Sequence, residues 1–185
     1  MTDDRPYPDE PAGPFPEPPA TFTDRADREI TLQPLGAGPP AGGDRGSAVT
    51  ALADMYEDFD PADRAQGIPP MGRSRVESWL SGLESSDAVN VLAWQGDAVA
   101  GHATLVPDGE GAYELAIFVH QDYQRAGIGG RLIRHLLGEG TVRGVERVWL
   151  TVERWNEAAI GLYRDVGFER TGDDRFELEM TLRLT

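Results

Sequence analysis

Residues 124–130 read Gln124-Arg125-Ala126-Gly127-Ile128-Gly129-Gly130, and they join a run of alternating apolar residues ending at His120 to an amphipathic segment. That segment, 128–137, carries Ile128, Leu132, Ile133, Leu136 and Leu137 on one side, the spacing of a helix. A glycine-rich turn opening a helix exposes backbone N–H groups that nothing within the helix can accept from, and the helix dipole adds roughly half a positive charge there. Such a turn is a cradle for a diphosphate. An ordinary strand-to-helix turn uses the same glycines, so spacing alone leaves both readings open. The dinucleotide fingerprint fails, because the position three beyond Gly129 is Leu132 and hairpins rather than βαβ units precede the turn. The phosphate loop needs a lysine, and the chain has none.

Upstream of the turn, the pattern predicts antiparallel strands at 88–94, 98–106 and 112–120, separated by Gln95-Gly96-Asp97 and Pro107-Asp108-Gly109. Before them come a short strand at 29–35 and two helices, 47–59 and 73–83, the first stopped by Pro61. Downstream, a strand at 145–152, a helix at 157–166 closed by Gly167, and strands near 168–171 and 175–184 complete the order β-α-α-β-β-β-α-β-α-β-β. This predicts a mixed α+β chain, within the broad α/β class. Its sheet has about seven strands, mostly antiparallel, flanked by about four helices. The last strand, with Phe176, Leu178, Met180 and Leu182 alternating, is expected to lie at a sheet edge, where a second subunit pairs to form a homodimer.

At 185 residues the chain has room for one domain and a tail. Ten of the 14 prolines fall in residues 1–40, and the first thirty residues carry eight acids against three arginines. Residues 1–28 are therefore expected to be a disordered tail, 36–46 a flexible loop, and 29–185 the folded domain. A stretch lacking the ~20 apolar residues of a membrane span, and a start lacking a signal peptide, put the expected location in the cytoplasm. The absence of cysteine excludes disulfides, thiolate nucleophiles and cysteine-based metal sites. His102, His120 and His135 show no metal-ligand spacing, so no metal is expected.

The formal charge is −15, which disfavours nucleic acid and anionic membrane as partners, and a lysine-free, carboxylate-rich surface is similar to those of proteins from salt-loving organisms. Residues 121–154 depart from this balance, with six arginines against four acids. Arg125 and Arg131 are the two assigned to an anionic ligand.

A second pattern follows at 156–168, Asn156-Glu157-Ala158-Ala159-Ile160-Gly161-Leu162-Tyr163-Arg164-Asp165-Val166-Gly167-Phe168, where Asn156 is placed to cap a helix and Tyr163 lies near two turns further on. The strand 113–120, the glycine turn and this helix, in this order, resemble the GNAT superfamily of acyl-CoA-dependent N-acetyltransferases over about residues 29–185. The resemblance implies a GNAT-like fold and acetyl-CoA as co-substrate. It implies that the backbone of Ile117, Phe118 and Val119 binds the pantetheine arm, that Arg125 to Gly130 hold the diphosphate with Gln124 and Arg131 beside them, that Asn156 contacts the cofactor, and that Tyr163 sits near its sulfur.

In that family an amine attacks the thioester directly, which needs a base, an oxyanion donor and an acid. Tyr163 suits the acid, since a phenol near ~10 gives its proton readily to a thiolate near ~8.5. A strand bulge close to Ile117–Val119 is the expected source of an oxyanion N–H. Glu114, on the strand face of Ala116 and Phe118, is the first candidate base, with Glu153 and His120 in reserve. Some N-terminal acetyltransferases of the family carry an acid five residues before the asparagine, where this chain has Thr151. The leading expectation is an N-acetyltransferase acting on a primary amine of a small molecule or protein. The alternatives are an inactive acyl-CoA-binding regulatory module and a nucleotide-binding α/β protein.

Overall fold

The computed structural model describes residues 5–64, 68–173 and 175–184. Its elements are β1 (Ala20–Thr23), β2 (Glu29–Pro34), α1 (Arg45–Glu57), α2 (Arg73–Ser85), β3 (Val89–Gln95), β4 (Ala98–Pro107), β5 (Tyr113–Val119), α3 (Ile128–Val142), β6 (Arg147–Glu153), α4 (Glu157–Val166), β7 (Glu169–Asp173) and β8 (Glu177–Arg183). The strands form one sheet in the order β1-β2-β3-β4-β5-β6-β8-β7. Every neighbouring pair is antiparallel except β5 and β6.

Both faces of the sheet centre are covered, which is why β3 is buried along nearly its whole length. Val89, Val91 and Ala93 face a core with Leu132, Ile133, Leu136 and Leu137 of α3 and Ile160 and Val166 of α4. Leu92 and Trp94 face a second core with Leu52, Met55 and Tyr56 of α1 and Val76 and Leu80 of α2. Within the second core the Tyr56 hydroxyl donates to His102 Nδ1 at 2.6 Å, and His102 Nε2–H donates to Asn90 Oδ1 at 2.9 Å. Burial pushes the His102 imidazole down to about 3, so the ring is neutral. In the loop expected at 36–46, Asp44 accepts from Ser47 N–H at 2.9 Å and caps α1.

The expected tail is not disordered over its described residues, 5–28. Arg5 meets Glu179 at 3.0 Å and lies 3.8 Å over the Trp149 ring. Thr181 donates to the Pro6 carbonyl at 2.9 Å, and Ala12 N–H donates to Arg183 O at 2.8 Å. The segment then crosses α3, where the Pro16 carbonyl sits against Gly138, and enters the sheet as β1, an eighth strand beyond the seven expected. Its prolines explain both the expectation and the outcome. They deprive the segment of apolar area, but they also fix φ in advance, so ordering it costs less entropy than composition suggests. Gly138 also explains why α3 outruns the apolar pattern that stops at Leu137. A Cβ there would lie 2.1 Å from the Pro16 oxygen, so the helix continues through a glycine that admits the strap.

A second correction concerns β8. It lies inside the sheet between β6 and β7, because its alternating Leu178, Met180 and Leu182 pack into the main core. The sheet edges are β1 and β7.

Candidate active site

Strands β5 and β6 pair only at Tyr113–Val148 and Glu114–Trp149, then part. The direction of the exposed groups follows from one bond. His120 N–H donates to Ala100 O on β4, so by the two-residue strand period Phe118 also points its backbone to β4. Ile117 and Val119 point theirs the other way, into the gap. The Val119 carbonyl accepts from the Gln124 carboxamide at 3.1 Å, which leaves the Ile117 groups and the Val119 N–H directed at the opening. The β4–β5 register runs from Gly101–Val119 to Pro107–Tyr113 without a shift, so the expected bulge is absent and the splay itself bares the N–H groups.

At the head of the gap the chain turns into α3. Arg125 (φ 58°) and Gly127 (φ 85°) both adopt left-handed backbone, and the first turn of α3 receives no side-chain cap. Its N–H groups stay available to an anion. Gly130 faces Leu162 of α4, where a Cβ would come within 3.1 Å.

A cleft of about 690 Å³ runs from this turn along β5 to α4, within the usual size of a small-molecule site. Ile117, Phe118, Val119, Gln124, Arg125, Gly127, Ile128, Gly129, Gly130, Arg131 and Asn156 all line it, so the structure brings these expected residues together. Ala126 is the exception, since its side chain is buried and its carbonyl accepts from Arg25 N–H at 3.1 Å. Asn156 caps α4 by accepting from Ala159 N–H at 3.1 Å. Arg25 and Arg134 also line the cleft, beyond the two arginines that the sequence assigned to an anionic ligand. The assignment of residues 1–28 to a tail hid Arg25, whereas Arg134, one of six arginines in a basic stretch, carried a usable signal.

Beyond Ile117 and Phe118 the cleft meets a smaller cavity of about 130 Å³, lined also by Ile68, Glu114, Leu115, Ala116, Thr151 and Tyr163. Glu114 and Tyr163 therefore share one chamber. Burial pushes the Tyr163 phenol up to about 12, so it keeps its proton at neutral pH. Glu114 is pushed up from the ordinary carboxylate range by partial desolvation, with Arg5 opposing and Asp108 adding to the rise. The reserve candidates stand apart. Glu153 lines neither cavity, and His120 donates through Nε2 to Asp58 at 2.9 Å while its Nδ1 accepts from Asp122 N–H at 3.2 Å, tying α1 to the turn after β5.

The sequence pattern of the acetyltransferase (GNAT) family matches residues 52–168. The chain belongs to that family. It is similar to the ribosomal protein bS18-alanine N-acetyltransferase of Salmonella typhimurium, with 48% identity over 121 residues that cover 65% of this chain and 78% of that protein. The protein of the same name from Escherichia coli K12 is 50% identical over 52 residues, 28% of this chain and only 35% of the relative's length. Among solved structures, the GNAT fold of this chain is similar to that of yncA from Salmonella typhimurium, solved with its cofactor acetyl-CoA. The TM-score is 0.64 at 20% identity, over 84% of this chain and 94% of that one. Among the described residues no cluster of histidine, aspartate and glutamate is placed to hold a metal ion, and no helix is long and apolar enough to cross a membrane.

Proposed function

We propose that this GNAT protein transfers the acetyl group of acetyl-CoA to a primary amine. The observation that carries the reading is the meeting of two cavities. One has an uncapped helix N-terminus, four arginines and an open strand edge; the other holds Glu114 and Tyr163. Acetyl-CoA supplies an activated acyl thioester. The α3 N-terminus, Arg125 and Arg131 suit its diphosphate, and the bare Ile117 C=O and Val119 N–H suit the amides of its pantetheine arm. Asn156, at the N-terminus of α4, lines the same cleft.

In the smaller cavity Glu114 takes the proton of the incoming ammonium, and its raised pKa brings it closer to the amine it must deprotonate. The N–H of Ile117, which lines both cavities, is the donor for the developing oxyanion, a contribution of about 3–4 kcal/mol in comparable sites. Tyr163 protonates the departing thiolate.

The test is a calorimetric titration of acetyl-CoA into the full chain, followed by thiol release with an amine panel that includes a peptide beginning in alanine, the acceptor named for its relatives. The net charge of −15 without lysine fits work in concentrated salt, and a thioester donor found in the cytoplasm fits reaction there, so the titration is run at low and at high potassium chloride. Binding with release supports the reading. Binding without release by any amine selects a non-catalytic module, and absence of binding by folded protein removes the reading altogether.

A further inference from the structure

The segment 21–28 lies outside the stretch matched by the family pattern, yet its Arg25 lines the cleft. Its conformation is heavily determined. Asp24 is buried and its carboxylate accepts from Ala26 N–H at 2.8 Å, Arg28 N–H at 3.0 Å and Arg28 Nε at 2.8 Å. Arg28 in turn lies 4.4 Å over the Tyr123 ring and donates to the Asp122 carbonyl at 2.9 Å. Arg25 N–H is tied to Ala126 O, and Phe22 lies under the Arg131 guanidinium at 4.5 Å. This clasp fixes the backbone on both sides of Arg25.

The Arg25 side chain itself is left over. It lines the cleft beside Gly127, its Nε 3.7 Å from where a Cβ on that glycine would sit, and among the described residues it forms no ion pair. Arg25 is exposed at the cleft, so its guanidinium is free to meet an anion that enters there. Of the two carboxylates lining the same cleft, Asp63 accepts from Gln124 at 2.7 Å, and neither Asp63 nor Asp165 forms an ion pair with Arg25.

Building on the acetyl-CoA reading above, we propose that Arg25 is a phosphate-binding residue. It is supplied by the N-terminal strap and reads the nucleotide end of the cofactor. The strap is then a wall of the cofactor site rather than an appendage. Arg25→Ala and Arg25→Gln, in the full chain, are compared with wild type by calorimetric titration of CoA and of dephospho-CoA, which lacks the 3′-phosphate. Thermal midpoints show that the variants are folded.

Both variants should weaken CoA about 10- to 100-fold at low salt, the loss shrinking as salt rises. A loss seen with CoA and not with dephospho-CoA identifies the 3′-phosphate as the contact; an equal loss with both identifies the diphosphate. If wild type binds CoA and both folded variants bind within twofold of it, the inference falls alone. If wild type binds neither nucleotide, the acetyltransferase reading falls first and takes this one with it.

Discussion

Gly138 offers a direct measure of whether the N-terminal strap is seated on the domain. It lies inside α3, where replacing glycine by alanine ordinarily gains about 1 kcal/mol of helix stability. Gly161 in α4 is the reference, since a Cβ there meets nothing within 4 Å. Gly161→Ala should therefore show the full gain, a rise in Tm of about 2–4 °C for a chain of this size. At Gly138 the new Cβ falls 2.1 Å from the Pro16 oxygen and 2.6 Å from its carbonyl carbon. Both are backbone atoms, so no side chain can swing aside, and the strap must rise by about 1 Å to restore contact distance. Overpacking of this kind costs about 1–3 kcal/mol, which cancels or exceeds the propensity gain. Gly138→Ala should end about 1–3 kcal/mol below Gly161→Ala, a gap of roughly 3–9 °C in Tm by thermal unfolding. Equal stabilisation by the two substitutions would falsify the seating of the strap, and with it the wall that Arg25 forms.

Three further outcomes are expected. Tyr163→Phe should lower kcat by about 10²-fold or more while the Kd for acetyl-CoA stays within twofold, and an unchanged kcat removes the phenol as the acid. Glu114 must be ionised to accept a proton, so kcat/KM should rise with pH through a pKa above the ordinary glutamate range, and Glu114→Gln should abolish that limb; survival of the limb places the base elsewhere. His102 titrates near 3 when folded and near 6.5 when unfolded, so the unfolded chain binds the extra proton between those values. Stability should therefore fall as pH drops from about 6.5 toward about 3, by about 1.4 kcal/mol per unit at most from this group, and His102→Asn should make the acid slope of urea unfolding shallower by one proton.

The elements that the sequence disclosed are those in which one local rule governs. Short apolar runs bounded by Gly96 and Gly109 mark the strands at 88–120, period-3.6 spacing at 128–137 comes from one helix face buried against the sheet, and Gly127 and Gly167 mark helix boundaries that few other residues can make. The cleft residues were legible because they crowd into two short stretches flanking α3 and α4. What stayed hidden depends on contacts far apart in the chain. Strand β8 alternates equally well at an edge or between two neighbours, so periodicity gave no order for the sheet. Residues 5–28 gain their order from Gly138, Thr181 and Arg183, more than a hundred positions away, and no window on their own composition contains that information. Glu114 and Tyr163 were picked out singly; that they face one chamber follows from the parting of β5 and β6.

That parting also answers a hazard. Hydrogen-bonding groups left bare along a strand normally lie at a sheet's rim, where another polypeptide can add itself and begin a fibre. Here the bare rungs of Ile117 and Val119 lie mid-sheet, with three strands beyond them on one side and four on the other. A broad chain with side chains on both faces has no approach to them, whereas a slender, unbranched arm can thread in lengthwise. The protein thus holds an unfinished ladder in readiness without becoming a template for its own aggregation.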